Sequence, residues 1–580
     1  MGSKGRTTFF VIVLVALALA GAPHIGRADV AASSVANPTL SDPPAGIRGY
    51  PLWDSWFELH EYGYEEQEFF VSGTARQASG ATAPYTTRII VTRPTAASGK
   101  FSGNVLLDWV NVTAQFENAV DTVEAHEFLL REGWAFVHVS AQSAGICCTP
   151  LTPKVWDPVR YAALSHPGDA YANDMFSQVA QALKSPQDTD PLAGLPGDRL
   201  VIAAGQSQSA SRLSSYVREA QPGAGVIDGF LIHGGGSKTF DAPPSAPVLH
   251  LLSDAEASPA EPNQSGNNYR LWEIAGSAHS DFWIGYHQEF GQGPRFAGGP
   301  KRPASAEDEM HQTAGNYGEM PHPMHATCIF AGAAFPTRYS VSAALHHLDI
   351  WIRTGTPPPE GPRYQFNGNM LARDEHRNAL GGIRLPPVDV PVASYESAAC
   401  VLGGLTRPFT ELELLQLYPE GHAQYYGLTK EKTVDAVAAG FLLPEDAHDL
   451  LTRACAARIR WQDLSGAPCD TDITIEVDGL VHIHGAIKRK GSGTAPVTLC
   501  STSPVRPLDV VPSSLRFEGS STGGETHDEV HPTDPADACG DSAPDGVAHI
   551  RYQGPTVNDG RACVTGRTTT GLQFRGCDTV

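Results

Sequence analysis

Between Arg199 and Val217 the sequence RLVIAAGQSQSASRLSSYV changes character within a few residues. Arg199 to Gly205 is a short apolar run of the kind buried in a sheet, and SASRLSSYVREA has the spacing of an amphipathic helix. Only a tight turn fits between them, and it carries Ser207. A strand that passes directly into a helix forces unusual backbone angles on the turn residue and lifts its hydroxyl out of the sheet. Small residues are needed where helix and strand cross, and Gly205 and Ser209 occupy those places. The familiar pattern is G-x-S-x-G, and here its last glycine is a serine.

The flanking segments extend the same logic. Thr86–Pro94 (TTRIIVTRP) and Asn104–Val112 (NVLLDWVNV) are rich in β-branched and aromatic residues and bounded by Gly and Pro, which marks strands. Helical spacing in DTVEAHEFLLREG ends at Gly133 and precedes the strand AFVHVSAQ (Ala135–Gln142). Ala170–Lys184 reads as a helix before the 199–205 strand, and GFLIHGG, PVLHLLS and YRLWEIAG read as strands after the Ser207 helix. Strands alternating with helices, several of them apolar throughout, predict an α/β fold with a mostly parallel sheet covered on both faces. The helix Ser340–Gly355 stops at a glycine followed by TPPP, and two more helical stretches lie in TELELLQLYPEGHAQYYGL and PEDAHDLLTRACAARIRW.

A serine hydroxyl holds its proton too tightly to attack at neutral pH without a base, and the base needs an acid to orient it. Downstream of Ser207, PVLHLLSDAEA ends in Asp254 and Glu256, and YRLWEIAGSAHSD carries His279 just past another strand. Both positions lie beyond carboxyl ends of strands, the rim where such sheets assemble sites. Glu256 is the first candidate for the acid and Asp254 its competitor. The oxyanion donors are expected to be the backbone N–H of Gln208 and one from the loop at Asn111, Val112 and Thr113, with Val112 the central candidate. Each aimed donor of this kind contributes about 3 to 4 kcal/mol. The HGGG of His233–Gly236 looks like an oxyanion motif but follows the serine turn, so it reads as a tight turn beside the site, with His233 a second choice of base.

Other signals carry less. His482 and His484 alternate on a strand without an evident third ligand, and HDEVH at 527–531 lacks the order of a zinc helix. No metal or cofactor is expected. The sequons at Asn111 and Asn263 are noted, the first inside the proposed oxyanion loop.

The segments AYANDMFSQVAQALK, GQSQSASRLSSY, DGFLIHGGG, YRLWEIAGSAHSD and LHHLDIWIRTGTPPP together resemble the bacterial alpha/beta hydrolase domain-containing proteins. The resemblance covers about Pro44 to Trp461. It implies an α/β-hydrolase fold and a Ser-acid-His hydrolase, usually exported, with Ser207, His279 and an acid within SDAE.

Composition sets the remaining bounds. Lys4 and Arg6 precede the apolar run Phe9–Ala22, and small residues lead to Asp29, which describes a signal peptide over 1–28. The run is short for a membrane span. Secretion, extracellular or periplasmic, agrees with ten cysteines, an even number suited to disulfides. Cys147 and Cys148 are adjacent and either pair with each other or form two separate bridges. A net charge of -22 disfavours nucleic acid as a partner. The expected organisation is a leader at 29–44, a hydrolase domain at 45–400 with a lid or insertion at 282–328, a helical extension at 401–461 and a small disulfide-stapled β domain at 462–580. The leading functional expectation is a carboxylic-ester hydrolase acting on a small-molecule or polymeric ester. An acyltransferase with the same triad and a non-catalytic binding or adhesive protein are the alternatives.

Overall fold

Nine strands form the central sheet of the computed structural model. They are β1 (Thr39–Ser41), β2 (Tyr64–Arg76), β3 (Thr82–Pro94), β4 (Asn104–Trp109), β5 (Ala135–Val139), β6 (Leu200–Gln206), β7 (Gly229–His233), β8 (Val248–Ser253) and β9 (Tyr269–Ile274). The structure describes residues 35–579 except for several internal stretches, the longest being 306–331, 458–470 and 533–545. The expected signal peptide therefore lies outside the described residues. The strand order is β1-β2-β3-β5-β4-β6-β7-β8-β9. From β5 to β9 every neighbouring pair is parallel, while β1, β2 and β3 run antiparallel at one edge.

The apolar strands of the sequence are the parallel ones, because both of their faces are covered. Val105, Leu107 and Trp109 of β4 and Val201 and Ala203 of β6 enter one core. Leu106, Ile202 and Ala204, the alternate residues, enter the other. The period-two arrangement of side chains thus feeds two cores from one strand. On the first core lie α2 (Ala172–Lys184) and α3 (Gln208–Glu219). On the second lie α1 (Val120–Arg131) and α4 (Thr337–Thr354).

Two differences from the sequence reading stand out. The stretch after His279 shows no clear period, yet it holds the helix Phe282–Tyr286, a π-helical turn at His287–Gln292 and the helix Gly293–Phe296. Asp281 caps the first of these by accepting the Ile284 N–H at 3.1 Å, and Phe282, Trp283 and Tyr286 are buried. Turns this short repeat no pattern that a sequence window can detect, and part of the expected insertion, 306–331, lies outside the described residues. The second difference follows the paired strands Ala393–Glu396 and Leu405–Pro408: three helices, Glu411–Leu417, His422–Ala438 and Pro444–Ala456, replace the two expected stretches, because Pro419 and Gly421 interrupt the first.

Beyond residue 470 the described strands make two small sheets. One contains Thr474–Glu476, Gln573–Thr579, Arg561–Arg567 and Arg516–Phe517, with Val557–Asn558 paired to Arg561–Arg567. The other contains Val481–Ile483, Ser492–Leu499, Gly546–Gln553 and His531–Pro532. Cys563 and Cys577, opposite each other across a ladder, form a disulfide. Cys147 and Cys148 bond to each other, the first of the two possibilities left open by their adjacency. Among the described residues no helix is long and apolar enough to cross a membrane.

Gly133, which follows α1, has φ 71° and would place an added Cβ 1.8 Å from the Lys100 carbonyl oxygen. Gly133→Ala is therefore expected to lower the unfolding free energy by about 1 to 3 kcal/mol, measured by urea denaturation.

Candidate active site

The turn after β6 is built as the sequence demands. Ser207 has φ 62° and ψ -115°, a conformation rare for a residue with a side chain. Its N–H donates to the His233 carbonyl at 2.8 Å, which extends the β6–β7 ladder by one step. A Cβ on Gly205 would lie 3.0 Å from the Ser209 carbonyl oxygen, so strand and helix cross there at backbone distance. The HGGG segment supplies the other wall. Gly234, Gly235 and Gly236 all have positive φ, and a Cβ on Gly235 would lie 3.2 Å from the Ser207 carbonyl oxygen. The segment is a tight turn against the serine, as its chain order indicated.

His279 and Glu256 converge on this turn. The Ser207 hydroxyl lies 2.7 Å from His279 Nε2, and His279 Nδ1 lies 2.6 Å from Glu256 Oε1. With the carboxylate ionised, Nδ1–H donates to it and Nε2 is left to accept the serine proton. Glu256 ends a short 3₁₀ turn, Asp254–Glu256, closed by a capping box. The backbone N–H and the hydroxyl of Ser253 both donate to Glu256 Oε2, at 2.8 and 2.6 Å. Burial alone would push the Glu256 carboxyl up, but the hydrogen bonds from His279 and Ser253 and the attraction of the imidazole outweigh it and hold the carboxyl below its ordinary range.

Asp254, the competing acid, faces the other way. It receives the Gly276 N–H at 3.0 Å and the Ser397 hydroxyl at 2.8 Å, and lies 3.0 Å from the Tyr364 hydroxyl. Burial pushes its carboxyl up, even with Arg373 3.6 Å away. It ties the acid turn to the segments that follow α4. His233, the second choice of base, has Nδ1 2.9 Å from Asp121 Oδ1, and both side chains are buried.

Of the three N–H groups weighed for the oxyanion loop, two are already used. Asn111 N–H donates to the Asn118 carbonyl at 2.8 Å, and Thr113 N–H donates to Asn111 Oδ1 at 2.8 Å. Val112 N–H has no acceptor among the described residues, and the same holds for Gln208 N–H at the start of α3. The loop is fixed to the serine turn by the Asn111 amide, which donates to the Gln206 carbonyl at 3.1 Å.

Sequence reasoning missed the polar struts of the turn. The Gln206 side chain donates to the His279 carbonyl at 2.8 Å, so the serine turn and the histidine loop are joined directly. The Gln208 side chain donates to Gln142 Oε1 at 3.0 Å. Gln142 donates in turn to Asp169, which also receives Arg212 at 2.9 Å. The glutamines on either side of Ser207 were the available signal. His482 and His484 stand apart from this site, with His484 2.7 Å from the Thr498 hydroxyl and His482 3.7 Å from Asp578.

This arrangement belongs to a known class. A family model described as "Alpha/beta hydrolase domain" matches residues 35–452, more than half of the chain, and the chain belongs to that family. Among solved structures it is similar to an alpha-beta serine hydrolase homologue from Coxiella burnetii, with 10% identity over 36% of this chain and 88% of that one and a TM-score of 0.24. A lidless a/b serine hydrolase from Xanthomonas campestris shares 14% identity over 40% of this chain and 93% of its own, with a TM-score of 0.23. A cold-adapted esterase from an Arctic intertidal metagenomic library shares 14% identity over 36% of this chain and 84% of its own, with a TM-score of 0.22. No curated protein matches the chain.

Asp254→Ala would leave the Ser397 hydroxyl and the Gly276 N–H without their buried acceptor. Its unfolding free energy is expected to fall by about 1 to 3 kcal/mol in guanidinium titration.

Proposed function

We propose that the chain is a secreted carboxylic-ester hydrolase in which Ser207 is the nucleophile, His279 the general base and acid, and Glu256 the residue that orients the imidazole. The observation that carries this reading is the continuous hydrogen-bonded line from the Ser207 hydroxyl through His279 to Glu256. His279 Nε2 takes the hydroxyl proton as Ser207 Oγ attacks the ester carbonyl carbon. The negative charge moves to the carbonyl oxygen, where the N–H groups of Val112 and Gln208 stabilise it. As the tetrahedral intermediate collapses, the imidazolium returns its proton to the leaving alkoxide, and the acyl group remains on Ser207. Water, deprotonated by His279, then attacks the acyl-enzyme and frees the acid and the serine.

Glu256 is well suited to its part. An ionised carboxylate keeps the Nδ1 proton in place and stabilises the imidazolium, and the Ser253 donors favour the ionised form. The pairing of one carboxyl held down with another pushed up, two residues apart, separates the reactive acid from the structural one. The reading includes the division of the chain into a signal peptide at 1–28, a leader at 29–44, the hydrolase domain at 45–400, its helical extension at 401–461 and a β module at 462–580. The signal peptide and the disulfides suit an exported enzyme.

An active-site fluorophosphonate should label Ser207, as read by peptide mass spectrometry, and Ser207→Ala should remove both the label and p-nitrophenyl ester turnover. Labelling elsewhere, or activity that survives the substitution, overturns the assignment. Glu256→Gln should lower kcat on the order of 10⁴-fold, because the neutral amide no longer selects the productive tautomer.

A further inference from the structure

A cavity of about 400 Å³ lies between the face of β3 and β5, helix α1 and the turns at 287–296. This is within the size range of small-molecule pockets, roughly 300 to 1,000 Å³. None of the three triad side chains lines it, yet it adjoins their loop. Val110, Asn118 and Ala119 form part of its wall, and Asn111, between them, pairs with Asn118 and holds the Gln206 carbonyl next to Ser207. The cavity thus shares one short loop with the serine turn.

The walls specify a chemistry. Trp53, Trp56, Phe57, Phe116 and Phe136 provide aromatic surface. Arg88 is already matched, pairing with Glu117 at 2.5 Å and with Glu68 at 2.8 Å. Glu66, its carboxyl pushed up to about 7 by burial, lies 3.4 Å from Lys301 and accepts the Ser55 N–H at 2.9 Å. A charged guest would have to be desolvated without a free counter-charge.

Two imidazoles at the wall have a nitrogen to spare. His287 Nδ1 accepts the Trp56 indole N–H at 2.9 Å, so the proton of the neutral ring sits on Nε2, a donor with no acceptor among the described residues. The Thr122 hydroxyl donates to Asp108 at 2.9 Å and therefore accepts His138 Nε2–H at 3.2 Å. That leaves His138 Nδ1 as an acceptor with no donor among the described residues. Burial, with nearby positive or titratable neighbours adding to it, lowers His138 to about 4 and His287 to about 3, so both rings are neutral across the usual assay range. Gly291 keeps the His287 turn against Trp56, since a Cβ there would fall 2.7 Å from the indole ring. The two rings together offer one N–H donor and one imidazole acceptor, which match a group that both accepts and donates a hydrogen bond.

We infer that this cavity receives an uncharged, hydroxylated aromatic group of the ester substrate, an inference that rests on the ester-hydrolase reading above. The hydroxyl accepts from His287 Nε2–H and donates to His138 Nδ1, while the ring packs among the tryptophans and phenylalanines.

The test uses the full chain carrying Ser207→Ala, so that binding is read without turnover. Titration with 4-ethylphenol should quench tryptophan fluorescence, and 4-ethylanisole, which has no hydroxyl proton, should bind at least tenfold more weakly. Adding His287→Phe, which keeps a ring but removes the donor, should weaken 4-ethylphenol binding by about tenfold and leave 4-ethyltoluene, which carries no oxygen to accept the bond, within twofold. Equal affinity for 4-ethylphenol and 4-ethylanisole, or indifference of 4-ethylphenol to His287→Phe, overturns the inference while leaving the ester-hydrolase reading intact. In the wild-type enzyme, 4-ethylphenol should raise the apparent KM for a short-chain ester and leave kcat unchanged. An unchanged KM would show that the cavity does not serve the substrate. Absence of any ester turnover, with probe binding preserved, would instead remove the catalytic reading alone.

Discussion

Everything at the site depends on one strained residue. A side chain at φ 62° costs on the order of 1 to 3 kcal/mol, and Ser207 can persist there only because its surroundings permit nothing else. The His233 carbonyl holds its N–H, α3 starts at the next residue, and Gly235 leaves no room behind its backbone. Relaxing this turn would rotate the hydroxyl away from His279. The parallel sheet beneath it, buried on both faces, provides the rigidity that the turn requires.

The acid turn shows how much environment matters in deciding the role of a side chain. Asp254 and Glu256 have similar chemistry and lie in one 3₁₀ turn. The capping box points Glu256 back over Ser253 with one oxygen saturated and the other facing the imidazole. Asp254 turns into the protein, where Tyr364, Ser397 and Gly276 occupy it. One carboxylate faces the imidazole and the other ties the turn to the segments that follow α4.

Much of this was legible in the sequence. The apolar strands, the helix that begins at the serine and the order of Ser207, Glu256 and His279 follow from local pattern, because buried parallel strands and tight strand-to-helix turns leave strong compositional marks. Val112 is the central candidate of its loop in the sequence, but the bonding of the Asn111 and Thr113 N–H groups on either side of it shows only in the structure. The segment around His287 was hidden for a similar reason: it is held by the bond from Trp56 to His287 and the bond from Trp283 to the Val123 carbonyl of α1 rather than by a repeating pattern. The struts at Gln206, Gln208 and Gln142 fell between these cases, visible as residues but silent as to partner.

The hydrogen bond from Gln206 to the His279 carbonyl has a consequence for how the enzyme can move. It joins the serine turn to the backbone of the histidine loop, so a displacement of that loop drags the serine turn with it. Loop breathing at this rim therefore preserves the Ser207–His279 spacing, and room for a ligand must come from other walls.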